Sequence, residues 1–202
     1  MNKKLCLDIG NVLVYVDLDF FANKVLEMGY VKDTKEANSF LDKVQGIQDI
    51  GLYDISTLLK IYLSVTNDSD ANDITNAWLN CIRPCEEMLE EVSRLIDDGW
   101  SISLLSNIGK DHAYMLRNSS AYESVINRCY QHFSCEIGAR KPSRLFYQSF
   151  LLERKDFHDA LFLDDREENV NNCAPLRGLQ FDIEGYDNGT HAAKAFKNIV
   201  DI

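Results

Sequence analysis

The chain has 202 residues, with 21 basic and 32 acidic side chains and a formal net charge of −11. No basic cluster stands out, so neither nucleic acid nor an acidic lipid surface is an expected partner. An anionic substrate would need a placed lysine or a metal. No apolar run reaches the roughly 18 residues of a membrane-spanning helix, and the length suits one core, or a core with a small lid.

The opening Met-Asn-Lys-Lys and the three apolar residues after it are too short for a secretory signal. The expected location is therefore cytoplasmic, with the six scattered cysteines reduced. Cys81 and Cys85 are read as packing residues. The sequence carries no signature of an oligomeric state.

The stretch Lys4-Leu5-Cys6-Leu7-Asp8-Ile9-Gly10-Asn11 opens the chain's pattern. A short apolar run bounded by turn residues predicts a buried strand that ends in Asp8. Four helices are then expected. The first carries Phe20, Phe21, Val25 and Leu26 and stops at Gly29. The second starts at Asp33, with Glu36 in capping-box spacing, and stops near Gly46. The third spans 55–63 and the fourth 71–81. Residues 17–82 thus read as a helical block with five lysines against eleven acids.

The pattern then changes. A helix over 85–98 leads to a strand over 101–105 that closes on Ser106-Asn107. A helix follows from 110, a strand over 129–135, a loop over 138–142 and a helix over 143–153. The strand over 160–163 closes on Asp164-Asp165. A helix over 167–176, a strand over 179–183 and a tail helix from 190 complete the chain. Strands alternating with helices predict an α/β fold, a Rossmann-like doubly wound parallel sheet. Its core takes residues 1–16 and 83–202. The helical block, inserted after the first strand, is placed over the carboxyl edge of the sheet as a cap.

In such a sheet ligands bind past the carboxyl ends of the strands. Asp8, Ser106-Asn107, Lys141 and Asp164-Asp165 all fall at that edge. They supply a carboxylate nucleophile, a hydroxyl with a turn of backbone N–H groups, a cation and an acidic pair. That set suits phosphoryl transfer. A carboxylate can form an aspartyl-phosphate, and Mg²⁺ favours one or two carboxylates with substrate phosphate oxygens. Lysine, hydroxyl and helix N-terminal amides stabilise charge on the phosphoryl oxygens.

Over its whole length the chain resembles the haloacid dehalogenase-like (HAD) superfamily of hydrolases. Asp8-Ile9-Gly10-Asn11-Val12 matches the first motif of that family, and the resemblance implies that Asp8 is the nucleophile. Leu105-Ser106-Asn107 matches the second, which binds phosphate. Gly138-Ala139-Arg140-Lys141-Pro142 matches the third, with Lys141 as its lysine. Leu163-Asp164-Asp165 through Asn169-Val170 matches the fourth, which implies Asp165 as a direct metal ligand with Asp164 beside it. The chain looks closest to bacterial sugar-phosphate phosphatases of the α-D-glucose-1-phosphate phosphatase type. The resemblance implies Mg²⁺ held by Asp8, the Gly10 carbonyl and Asp165, and a four-helix cap over a small phosphorylated substrate.

One position departs from the pattern. Most phosphatases of this family carry an aspartate two residues after the nucleophile, as general acid and base. Here that position is Gly10. Its carbonyl can still meet a metal, but no proton donor stands there. Without such a donor, leaving groups that depart easily as anions are expected to be favoured. Asp17, Asp19 and His112 are candidate replacements. Asp17, Asp49, Tyr53 and Trp78 are candidate cap contacts to a sugar. Two other readings stay open: a dehalogenase, in which the acidic pair would have no task, and a binding protein that keeps the fold, favoured only by Gly10.

Overall fold

The computed structural model describes residues 3–201. In chain order the elements are β1 (Lys4–Leu7), β2 (Val14–Val16), α1 (Leu18–Glu27), α2 (Thr34–Asp49), α3 (Ile55–Leu63), α4 (Asp68–Asn80) and β3 (Ile82–Pro84). Then come α5 (Glu86–Asp97), β4 (Ser101–Ser106), α6 (Lys110–Asn118), β5 (Tyr130–Phe133), α7 (Ser134–Ile137), α8 (Arg144–Glu153), β6 (Leu161–Asp164), α9 (Glu167–Asn171), β7 (Arg177–Gln180) and α10 (Gly189–Val200).

The five-stranded sheet has the order β5-β4-β1-β6-β7, and every pairing in it is parallel. This is the expected doubly wound α/β architecture. β1 is central: Leu7 sits opposite Leu104 on one side and Leu163 on the other. Its side chains alternate between two buried layers. Leu5 and Leu7 join one apolar cluster with Leu104, Leu163 and the inner faces of α5, α6 and α10. Cys6 joins the other, with Leu105, Phe162 and Phe146, Tyr147 and Phe150 of α8. A strand covered on both faces has no polar side, which is why β1 reads as an unbroken apolar run. The central position also decides the site. The carboxyl end of β1 is flanked by those of β4 and β6.

The four helices α1 to α4 enclose an apolar cluster of their own, built on Phe21, Val25, Phe40, Leu41, Leu58, Leu59, Ile74 and Trp78. The acidity of this block has a local cause. Asp17, Asp33 and Asp54 cap α1, α2 and α3, accepting hydrogen bonds from the N–H groups of Phe20, Glu36 and Thr57 at 3.0, 2.8 and 2.7 Å. Asn67 caps α4 through Ser69 at 2.8 Å. Each such cap contributes about 1 kcal/mol. The box at α2 is displaced by one residue, because Glu36 accepts from the N–H of Lys32 and not from that of Asp33.

Three differences from the expected elements have physical reasons. First, β2 and β3 form an antiparallel ribbon, with Tyr15 opposite Arg83, that draws together the two ends of the helical block. Two strands of three residues carry no periodicity, so neither was legible. Second, α2 does not stop at Gly46. It continues to Asp49, and the left-handed residue that follows is Gly51, at φ 73°. Burial of Val44 and Gln48 outweighs the roughly 1 kcal/mol cost of a mid-helix glycine. Third, the last strand is Arg177–Gln180, not 179–183, and α9 ends at Asn171. Phe181 and Ile183 suggested a strand but are buried in the loop under α10. All four residues of β7 are exposed at the sheet edge, so β7 has no apolar signature.

Candidate active site

Asp8 follows β1, and its N–H donates to the carbonyl of Leu163 at 2.9 Å, which ties the chain to β6 at that point. One carboxylate oxygen accepts from the N–H of Ile9 at 2.7 Å and lies 3.0 Å from the ammonium of Lys141. That ammonium also donates to Asp164 Oδ2 at 2.6 Å. Lys141 is wholly buried and bridges two strand ends. The other oxygen of Asp164 accepts from the N–H of Arg166 at 2.9 Å and from the Asn169 side chain at 2.8 Å. Asp164 is therefore fully engaged in holding the lysine and the following turn. Asp165 is more open and accepts from Asn11 at 3.3 Å.

Electrostatics follow from this crowding. Burial, then the neighbouring aspartates, pushes the Asp8 carboxyl well above the usual carboxylate range, although Lys141 pulls it down. Burial followed by Asp164 pushes Asp165 up to about 6. For Lys141, burial works against the charge, but Asp8 and Asp164 outweigh it and hold the ammonium above its ordinary value. Oxygen atoms of Asp8, Asp164 and Asp165 lie within 4.8 Å of one another. Three carboxylates against one ammonium leave excess negative charge that a second cation would relieve. The donors are hard oxygens, the chemistry that suits Mg²⁺.

The loop after β4 completes the edge. The Asn107 side chain accepts from the Lys141 N–H at 2.7 Å and donates to the Lys141 carbonyl at 2.9 Å. That clamp fixes the lysine backbone, so only the main chain of Asn107 remains for a phosphate. Ser106 is buried and lines a cavity of about 110 Å³ that also meets Gly10 and Asn107. The helical block also lines the cavity, through Gln45, Asp49 and Trp78. The structure thus brings Asp8, Lys141, Asp164 and Asp165 into one cluster and sets Gly10, Ser106 and Asn107 around the adjoining cavity. Sequence reasoning missed the clamping roles of Asn107 and Asn169. Two asparagines in polar turns give no signal that separates them from ordinary loop residues.

The proposed replacements for a proton donor separate clearly. Asp17 and Asp19 are exposed, and Asp17 spends its carboxylate on the α1 cap. Of the candidate cap contacts to a sugar, Asp49 and Trp78 line the cavity, whereas Tyr53 is about half exposed and does not. His112 does line it, but its Nε2 lies 2.8 Å from the Trp78 carbonyl. Burial pushes its pKa down to about 4. A neutral imidazole donating to that carbonyl fits both facts.

A stability prediction follows. The unfolded chain protonates His112 near pH 6.5, while the folded chain resists until about pH 4. Below 6.5 the unfolded state binds more protons, so this contribution is fully present above pH 6.5 and is lost as pH falls toward 4. The loss is about 2–3 kcal/mol by pH 4.5. Urea unfolding of wild type and His112→Gln at pH 7.5 and pH 4.5 should show the gap between them shift by that amount in favour of the variant at the acidic pH. A constant gap would mean that His112 titrates normally.

No family model matches the sequence, and no curated protein does either. Solved structures match the fold. A HAD family enzyme from Bacteroides thetaiotaomicron, in complex with magnesium and inorganic phosphate, aligns with a TM-score of 0.74 at 18% identity, over 90% of this chain and 94% of that one. A predicted HAD-like family hydrolase from Porphyromonas gingivalis aligns with a TM-score of 0.78 at 17% identity, over 98% and 97%. An L-2-haloacid dehalogenase aligns with a TM-score of 0.55 at 14% identity, over 89% and 83%. At these identities the likeness is one of fold: the chain adopts the HAD-like α/β architecture.

Proposed function

We propose that this chain is a Mg²⁺-dependent phosphatase of the HAD superfamily that hydrolyses a small phosphorylated metabolite, a sugar phosphate, through an aspartyl-phosphate on Asp8. The observation that carries this reading is the cluster at the centre of the sheet edge. A buried carboxylate at the end of the central strand touches a buried ammonium at 3.0 Å, and two further aspartates lie within 4.8 Å of it. The Bacteroides enzyme of the same fold, in complex with magnesium and phosphate, supports it.

In this reading Asp8 attacks phosphorus in line, and the leaving oxygen departs on the opposite side. Lys141 and the Ser106 hydroxyl hold the phosphoryl oxygens, with the Asn107 main chain beside them. Water then attacks the aspartyl-phosphate and frees Asp8. Asp8, the Gly10 carbonyl and Asp165 would hold Mg²⁺, with Asp164 beside them fixing Lys141. The ion would neutralise charge on the phosphoryl group. Residues 17–82 serve as the cap that excludes bulk water. The cavity of about 110 Å³ suits a small leaving group. A dehalogenase would leave the three-carboxylate cluster without a task.

Two measurements test the proposal. Hydrolysis of a panel of phosphate esters, with p-nitrophenyl phosphate as the generic member, should proceed in Mg²⁺ and stop in EDTA. Separately, Mg²⁺ at a hundred times its dissociation constant should stabilise the fold by about 2.7 kcal/mol, an effect that Asp165→Ala should remove. No turnover of any ester by folded, metal-loaded protein would instead favour a binding protein.

A further inference from the structure

The unfilled place in this mechanism is the proton for the leaving group. Position 10 cannot supply it. Gly10 has no side chain, and a Cβ built there would lie 3.3 Å from Val16 Cγ2 of the ribbon, a tight contact that the valine would have to ease by a few tenths of an ångström. Among the described residues, the lining of the cavity that Gly10 meets holds one acidic side chain. Asp49, the last residue of α2, lines the same cavity as Gly10, Ser106 and Asn107, with only 14% of its side chain exposed. It is reached only because α2 runs past Gly46.

We propose that Asp49, brought into the cavity by the last turn of α2, is the general acid and base of the reaction, in place of a side chain at position 10. The inference rests on the phosphatase reading. In the first half-reaction Asp8 forms its bond to phosphorus and the bond from phosphorus to the leaving oxygen breaks. The electron pair goes to that oxygen, which takes the carboxyl proton of Asp49. In the second, the Asp49 carboxylate removes a proton from water as the water oxygen bonds to phosphorus. The bond from phosphorus to Asp8 breaks, phosphate leaves, and both aspartates return to their starting states.

The surroundings suit that task. Arg140 Nη2 lies 3.2 Å from Asp49 Oδ2 and fixes the carboxyl's direction. Gly46, one turn earlier on α2, lies beside the guanidinium, where a Cβ would meet Arg140 Nη1 at 3.4 Å, close to an ordinary contact. Burial raises the Asp49 carboxyl to about 6, against the pull of Arg140 and Lys141 on the facing loop and of Arg166 after β6. The other titratable side chains on this cavity are His112, held neutral by its own burial, and Cys81, whose thiol is pushed up to about 12 by burial. Gln45, one turn before Asp49 on α2, also lines the cavity and can hydrogen-bond a hydroxyl of the leaving group.

The experiment compares wild type and Asp49→Asn on two substrates in saturating Mg²⁺: p-nitrophenyl phosphate, whose leaving group needs no proton, and a simple alkyl phosphate, whose leaving group does. The expected result is a loss of about 10²–10⁴-fold in kcat/KM on the alkyl ester against a much smaller loss in kcat/KM on p-nitrophenyl phosphate, because kcat/KM ends at departure of the leaving group. In contrast, kcat falls on both esters, because water attack on the aspartyl-phosphate loses its base. The pH profile of the wild type gives a second reading that needs no variant. The kcat/KM on the alkyl ester, relative to that on p-nitrophenyl phosphate, should fall as pH rises through the Asp49 range. Equal losses of kcat/KM on both esters, no loss on either, or a flat kcat/KM ratio across pH would overturn the assignment while leaving the phosphatase reading intact. Absence of wild-type turnover on p-nitrophenyl phosphate would overturn both.

Discussion

Asp8→Asn is expected to lower phosphate-ester turnover by roughly 10⁴-fold or more, the scale seen when an enzyme loses its nucleophile, without loss of fold. The amide has nearly the volume of the carboxylate but cannot form the acyl-phosphate bond. The structural cost should be small for a stated reason. Asp8 is one of three carboxylates crowded around a single ammonium, and its ionised form is disfavoured by burial before any other influence. Removing one negative charge relieves repulsion on Asp164 and Asp165, and Lys141 keeps its 2.6 Å partner on Asp164. Metal-free Asp8→Asn should therefore unfold at the same urea concentration as wild type, or a higher one. Binding of Mg²⁺ should weaken in parallel, because an amide oxygen replaces a charged ligand. Turnover that survives in the variant would mean that water attacks the ester directly and no aspartyl-phosphate forms.

How the site was legible follows from where its residues sit. Asp8, Ser106 and Asp164 each end a strand that is buried on both faces, so an apolar run stops abruptly at a polar residue. That contrast is readable in a sequence. Parallel pairing then brings the ends together, since strands of one direction share one carboxyl edge. Lys141 is different. It lies in a loop, and its burial comes from the clamp by Asn107 and from two carboxylates on other strands. The order of the strands placed this loop lysine at the carboxyl edge, and the family resemblance matched it to a motif, but neither could show that burial.

What stayed hidden depends on tertiary contacts that override local signals. Gly46 is a sound stop signal by propensity, yet packing of Val44 and Gln48 carries α2 one turn further, and that turn holds Asp49. His112 looks like an ordinary first-turn helix residue. Its burial against Trp78, with ring centres 4.8 Å apart, comes from α4, more than thirty positions earlier in the chain. The exposed strand β7 and the ribbon of β2 and β3 had no apolar pattern to read. The fold's centre was therefore visible from composition along the chain, and its rim was not.

Lys141→Met should be the most destabilising single change in the site. The ammonium is fully buried and balances Asp8 at 3.0 Å and Asp164 at 2.6 Å. Methionine keeps most of the stem but strands two buried carboxylates beside Asp165. Breaking a buried pair by removing one partner costs about 3–5 kcal/mol, because the remaining charge is left without compensation. Against the 5–15 kcal/mol of a typical domain, that is a large share. The hydrogen bonds from Arg166 and Asn169 soften the loss at Asp164 but carry no countercharge comparable to the ammonium. Two controls isolate the cause. Adding Asp164→Asn to Lys141→Met removes one stranded charge and should recover part of the stability, so that the two changes are strongly non-additive in a double-mutant cycle. Adding Mg²⁺ should recover part as well, since a divalent cation beside Asp8 and Asp165 supplies the missing positive charge. A cost below about 1 kcal/mol, the range of an exposed ion pair, would show that Lys141 is not the counter-charge of this cluster. The cluster would then lose its claim to be a prebuilt phosphate and metal site.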